Sequence, residues 1–142
     1  MIMEIYVKGK YERGIGAAAY VVVAEGNIVA QGSKRFGAEF TLCGQQFQCD
    51  QFNTEVLAAV CGMARCGEEK LINVYSNNKS VIAWLFRGGE PEGRKPLLDI
   101  WRRYADGKDV FVDYVPFFEK DPLGNRWNRL CNELAAKALK DD

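Results

Sequence analysis

The order of hydrophobic periods constrains this chain more than any single motif. From Ile5 to about Gly37 it reads as three strands. β-Branched and small apolar residues dominate there, as in Ala17 to Val23, and Gly14, Gly16 and Gly26-Asn27 supply the turns of an antiparallel meander. Phe40 to Gln51 has several glutamines, two cysteines and a glycine without a clear period, and reads as a long connection. Apolar residues at 56, 57, 59, 60, 63 and 64 then fall at helical spacing. This predicts a helix over Thr54 to Cys66, capped by Asn53 or Thr54 and ended at Gly67. A buried-type strand follows from Leu71 to Ser76, then a short helix from Lys79 to Phe86 stopped by Gly88-Gly89, and a helix from Pro96 to Ala105. Asp109 to Val115 is a fifth strand, and Arg126 to Lys140 an amphipathic helix. That order predicts an α/β fold with a five-stranded mixed sheet flanked by helices.

At 142 residues and 48% hydrophobic, the chain is expected to form one domain over 1–142 with a substantial core. It has no apolar run of about 20 residues and no signal-like amino terminus, so the expected location is the cytoplasm, with no membrane partner. The five cysteines form no Cys-x-x-Cys pair and there is no histidine, which favours reduced thiols over a metal site. Nineteen basic and nineteen acidic residues cancel, so any polyanion site must be local.

Four segments carry a more specific signal. They are the strand Glu4 to Lys10, the helix Asn53 to Ala59 containing Glu55, the strand Ile72 to Asn78, and the helical stretch Cys131-Asn132-Glu133-Leu134-Ala135. In this order and spacing they resemble type 1 ribonuclease H over nearly the whole chain, from Glu4 to about Leu139. The resemblance implies a ribonuclease H-like fold. In active members of that family, carboxylates at four matching positions converge on two Mg²⁺ ions that activate water and stabilise the leaving oxygen. Here the four positions are Lys8, Glu55, Asn77 and Asn132, so three acids are replaced and the formal charge is zero. An ammonium also repels a dication, by about 1 kcal/mol per charge at 4 Å in water and by more where screening is poor. The family's mobile histidine has no counterpart after the fifth strand, where the chain reads Val115-Pro116-Phe117-Phe118, and its basic protrusion is shortened to the stretch from Arg87 to Lys95.

The resemblance therefore implies a catalytically degenerate member, with no cofactor and no metal. Lys8, Glu55, Asn77 and Asn132 are expected to cluster at one edge of the sheet, on one face, with Lys8 and Glu55 in salt-bridge reach. A nucleic-acid or protein binding module is the leading functional reading. Lys8, Lys10 and Lys79 would meet phosphates, while Asn53, Asn77, Asn78 and Asn128 would contact sugars or base edges. One alternative is an active ribonuclease H cleaving the RNA strand of RNA-DNA hybrids, using Mg²⁺ and acids recruited from Asp50, Asp113 or Glu133. Another is a structural or oligomerisation domain. Gly14-Ile15-Gly16 is read as a hairpin turn, because no helix follows it to present amides to a phosphate. Trp84, Trp101 and Trp127 lie in helical patterns and are expected to pack, and Phe117-Phe118 with Leu123 would suit a protein interface if exposed.

Overall fold

A computed structural model describes residues 1–87, 93–115 and 125–140. Gly88-Gly89, Phe117-Phe118 and Leu123 lie outside the described residues. The elements run β1 (Ile2–Glu12), β2 (Ile15–Ala24), β3 (Asn27–Phe36), β4 (Glu39–Leu42), β5 (Gln45–Gln48), α1 (Gln51–Ala64), β6 (Leu71–Ser76), α2 (Lys79–Arg87), α3 (Lys95–Ala105), β7 (Asp109–Tyr114) and α4 (Asn125–Lys140). Five strands form one mixed sheet in the order β3-β2-β1-β6-β7, with β1 central. The meander β1-β2-β3 is antiparallel, whereas β6 is parallel to both β1 and β7. The fold class expected from the sequence is the one found.

Each hairpin turns on two residues in the left-handed region, Arg13-Gly14, Glu25-Gly26 and Cys43-Gly44. Two consecutive positive φ angles match the right-handed twist of paired strands. Gly14 thus turns the first hairpin as expected, but Gly16 lies within β2, where a Cβ would crowd Cys49 and Thr54 at 3.0 Å.

Two readings of the sequence need correction. Residues 39–48 are not a structureless connection but the hairpin β4-β5. Phe40, Leu42 and Phe47 pack against the core, while the glutamines on β5 blur the period-2 signal. Helix α1 begins at Gln51 rather than Thr54, and its cap is Asp50, whose carboxylate accepts from the amides of Phe52 at 3.0 Å and Asn53 at 2.7 Å. The periodic apolar run starts a turn and a half after the cap, so it hid the helix entry.

The sheet separates two cores. Ile5 and Val7 of β1 join Val56, Leu57, Val60 and Met63 of α1 on one face. Each such side chain contributes roughly 1.5–3 kcal/mol by leaving water. Tyr6 points the other way and packs with Ala19, Val21, Cys131 and Ala135 beneath α4. Trp101 is buried; Trp84 and Trp127 are half-buried and pack against the two cores. Among the described residues, no helix is long and apolar enough to cross a membrane.

Candidate functional site

The parallel ladder between β1 and β6 stops at Tyr6↔Tyr75, while β1 continues to Glu12 paired only with β2. The sheet therefore opens at the carboxyl end of β6, the kind of place where open α/β sheets hold their ligands. Beyond Tyr6, β1 lacks β6 as a partner, and two side chains of α1 take up the backbone of Gly9. Glu55 accepts from the Gly9 amide, and the Gln51 side-chain amide donates to the Gly9 carbonyl. Gln51 and Glu55 are four residues apart and so share one helical face. Gly9 has to be glycine for this contact, since a Cβ there would collide with the Glu55 nitrogen and the Thr54 side chain.

Glu55 is fully buried. Its other carboxylate oxygen accepts from the Ser76 hydroxyl at 2.8 Å. Burial pushes its pKa up, while the Lys8 ammonium, the Ser76 hydroxyl and the Gly9 amide pull it down. The expected Lys8–Glu55 ion pair is not formed: among the described residues, no ion pair within 4.0 Å joins them. Lys8 Nζ instead donates to Asn77 Oδ1 at 3.1 Å. Alternation along β1 explains the difference, because Lys8 lies on the Tyr6 side of the sheet with α4 while Glu55 approaches from the α1 side. The expectation of one edge and one face is corrected in the same way. The four residues meet at the mouth between two central strands, approached from both faces. Cys131 registers this proximity across the sheet. Its thiol lies 3.2 Å from the Ala19 carbonyl and 3.4 Å from that of Tyr6, and burial raises its pKa, with the Glu55 charge adding to the effect and the Lys8 charge opposing it.

The mouth widens into an open cleft of about 320 Å³ walled by Lys8, Lys10, Tyr11, Glu12, Gln51, Asn77 and Asn132. Burial lowers the Lys10 pKa, and the nearby charges of Lys8 and Lys140 lower it further against the opposing pull of Glu12. Two lysines and one glutamate thus carry the charge of the cleft wall. Of the residues singled out in the sequence, the structure gathers Lys8, Lys10, Asn77 and Asn132 around one space, with Glu55 beneath it.

Others fall elsewhere. Asn53 is buried, with its amide bonded to the Gln48 carbonyl and its oxygen accepting from Arg94 at 2.6 Å. Asn128 is only 1% exposed, and among the described residues its side-chain nitrogen has no hydrogen-bond partner. Both carry polar side chains on helix faces that turn out to pack inward, so neither is presented to a ligand. Asn78 caps α2, accepting from the Val81 amide at 3.1 Å, and Lys79 lies over the Tyr114 ring at 5.0 Å. Neither lines the cleft. Sequence reasoning did not single out Gln51 or Ser76. Their signals were present, Gln51 one turn before Glu55 and Ser76 immediately before Asn77.

The donor set does not fit a two-metal centre. Lys8 can only donate, the two asparagines carry no charge, and the one carboxylate is buried on the Gly9 amide and the Ser76 hydroxyl. Among the described residues, no group of three or more His, Cys, Asp or Glu is placed to hold a metal ion. Asp50 is committed to the helix cap and to Arg94 at 3.0 Å, and Asp113 and Glu133 are exposed outside the cleft wall.

No protein-family model matches the sequence, and no curated protein matches it. Solved structures do match in shape. Ribonuclease H1 from the halophilic archaeon Halobacterium salinarum NRC-1 superposes with a TM-score of 0.76 at 19% identity, covering 100% of both chains. The N-terminal RNase H domain of a Mycobacterium tuberculosis protein gives 0.77 at 14% identity over 97% of this chain and 93% of the other. LC11-RNase H1 in complex with an RNA/DNA hybrid gives 0.70 at 16% identity over 97% and 99%. The fold is ribonuclease H-like.

Proposed function

We propose that this protein is a noncatalytic ribonuclease H-like module that binds nucleic acid through the Lys8–Asn77 cleft. The observation that carries this reading is the Lys8 ammonium, hydrogen-bonded to Asn77 Oδ1 at 3.1 Å at the mouth where a hydrolytic site would need carboxylates. Lys10 beside it adds a second cation, so the cleft attracts the kind of anion that flanks every nucleotide. Asn77, Asn132 and Gln51 add amides suited to sugar hydroxyls and base edges. A structural relative bound to an RNA/DNA hybrid makes such a hybrid the first ligand to test. Hydrolysis of that hybrid is the weaker reading, because the donor set lacks the charge to hold two divalent ions.

The deciding experiment pairs two measurements on the same hybrid. Binding is titrated at several salt concentrations, and cleavage is assayed with Mg²⁺ or Mn²⁺. Salt-sensitive binding that Lys8→Met weakens, with no cleavage, supports the proposal. Metal-dependent cleavage abolished by Glu55→Gln would replace it with the enzymatic reading, and absence of binding would leave a structural domain.

A further inference from the structure

We infer that a basic track leads out of the cleft, around the carboxyl end of α4, to a second groove, and that it takes a single-stranded extension of the bound nucleic acid. This inference rests on the proposed function and extends it beyond the β1–β6 mouth. The groove, about 780 Å³, lies between the Ser33–Gly37 end of β3 and α4, with Leu134, Lys137 and Ala138 on its helical wall. A third depression of about 480 Å³, walled by Glu12, Arg13, Ile15 and Leu139, lies between groove and cleft. It shares Glu12 with the cleft and Ile15 with the groove, so the three spaces are neighbours on the surface.

The charge on this path is lopsided in a chain whose total is zero. Among the described residues, Lys8, Lys10, Arg13, Arg35 and Lys137 line it against one acid, Glu12, while Lys34 lies opposite Ala18 on the α1 face with its ammonium over the Phe36 ring at 5.6 Å. The strand register explains the spread. Lys10 of β1 lies opposite Ala17 of β2, and Ala17 opposite Arg35 of β3, so one cross-strand row begins in the cleft and ends at the groove, roughly 10 Å apart at the usual strand spacing. Between the cations, Tyr11, Ile15 and Leu134 offer aromatic and apolar surface to bases among polar wall residues such as Ser33 and Asn132. Alternating cations and apolar surface suit a flexible single strand, whose bases are free to turn towards the protein. A rigid duplex seated in the cleft cannot bend around the end of α4 at comparable cost.

The test compares three ligands at fixed salt: a blunt RNA/DNA hybrid, the same hybrid with a single-stranded extension of about eight nucleotides, within the span such grooves occupy, and that single strand alone. The extension should tighten binding by roughly three- to tenfold and steepen the salt dependence by about one or two contacts. Arg13→Glu with Lys137→Glu, both exposed positions, should remove this gain while leaving the blunt hybrid and the melting temperature unchanged. Lys137→Arg should retain it. Equal affinity for blunt and extended hybrids, or a gain that survives the double charge reversal, overturns the track and leaves the cleft standing. Failure of all three ligands to bind overturns both.

Discussion

The Ser76 hydroxyl donates to Glu55 Oε2 at 2.8 Å beneath the cleft, so the one carboxylate among Lys8, Glu55, Asn77 and Asn132 is tied into the sheet rather than presented to a ligand. With the Gly9 amide on its other oxygen, Glu55 does the work of a missing strand partner. Replacing it by alanine would strand two buried donors, at about 1–3 kcal/mol for each group left unsatisfied.

The first prediction concerns pH. Burial raises the Glu55 pKa above its unfolded value despite the opposing pull of Lys8, Ser76 and Gly9. Below the unfolded value both states hold the proton, and stability is greatest. As pH rises from there through the folded pKa, the unfolded chain releases its proton first and stability falls, then levels off. Glu55→Gln keeps the size and the acceptor for Gly9 but cannot titrate. Urea unfolding at a series of pH values should therefore show that decline in the parent and lose this component in the variant. Parallel profiles would mean that Glu55 titrates as it does in the unfolded chain.

Lys8 is the subject of the second prediction. Its direct partner is Asn77, and its pull on Glu55 acts through space, so Lys8→Met should cost only about 0.5–1.5 kcal/mol, near the value of one hydrogen bond. The pH-dependent loss of stability should extend to higher pH, because the cation that counters burial is gone. In hybrid titrations the same variant should lower the slope of log affinity against log salt by about one. An unaltered salt slope would place Lys8 outside the nucleic-acid contact.

Third, millimolar Mg²⁺ should leave the melting temperature of the parent protein unchanged. The combined change Lys8→Asp, Asn77→Asp and Asn132→Asp should create a Mg²⁺-dependent rise, since a ligand that binds only the folded state stabilises it by mass action. Without Mg²⁺ the triple variant should melt lower than the parent, because like charges then face one another. A Mg²⁺ shift in the parent that Glu55→Gln abolishes would show that the remaining donors suffice.

Much of this architecture was legible in the sequence because strand and helix periods report burial directly. The meander, β6, β7 and all four helices lie within about three residues of where periodicity put them, and the similarity in order located Lys8, Asn77 and Asn132 around one cleft. What was hidden depends on three-dimensional closeness. Asp50 carries no periodic signal of its own, the glutamines of β5 masked a hairpin, and the side on which Lys8 emerges follows from strand alternation relative to α1. Polar residues misled where helix faces packed inward, as at Asn53 and Asn128.

The last prediction is that Gly9→Ala is the most damaging single-methyl change at the site. A Cβ at Gly9 points at the α1 backbone itself, at the Glu55 nitrogen and the Thr54 side chain, and a helix backbone cannot rotate away as a side chain can. Accommodating the methyl requires α1 to move off β1, which would also break the paired contacts of Gln51 and Glu55 with the Gly9 backbone. Overpacking alone costs about 1–3 kcal/mol, and the lost contacts add to it. Gly37→Ala provides the control, since a Cβ there meets nothing within 4 Å. Denaturation midpoints should separate the two variants clearly, with Gly9→Ala also weakening hybrid binding because the α1 wall of the cleft shifts. If Gly9→Ala unfolds at the same denaturant concentration as Gly37→Ala, the close docking of α1 on β1 is not what holds the cleft in shape.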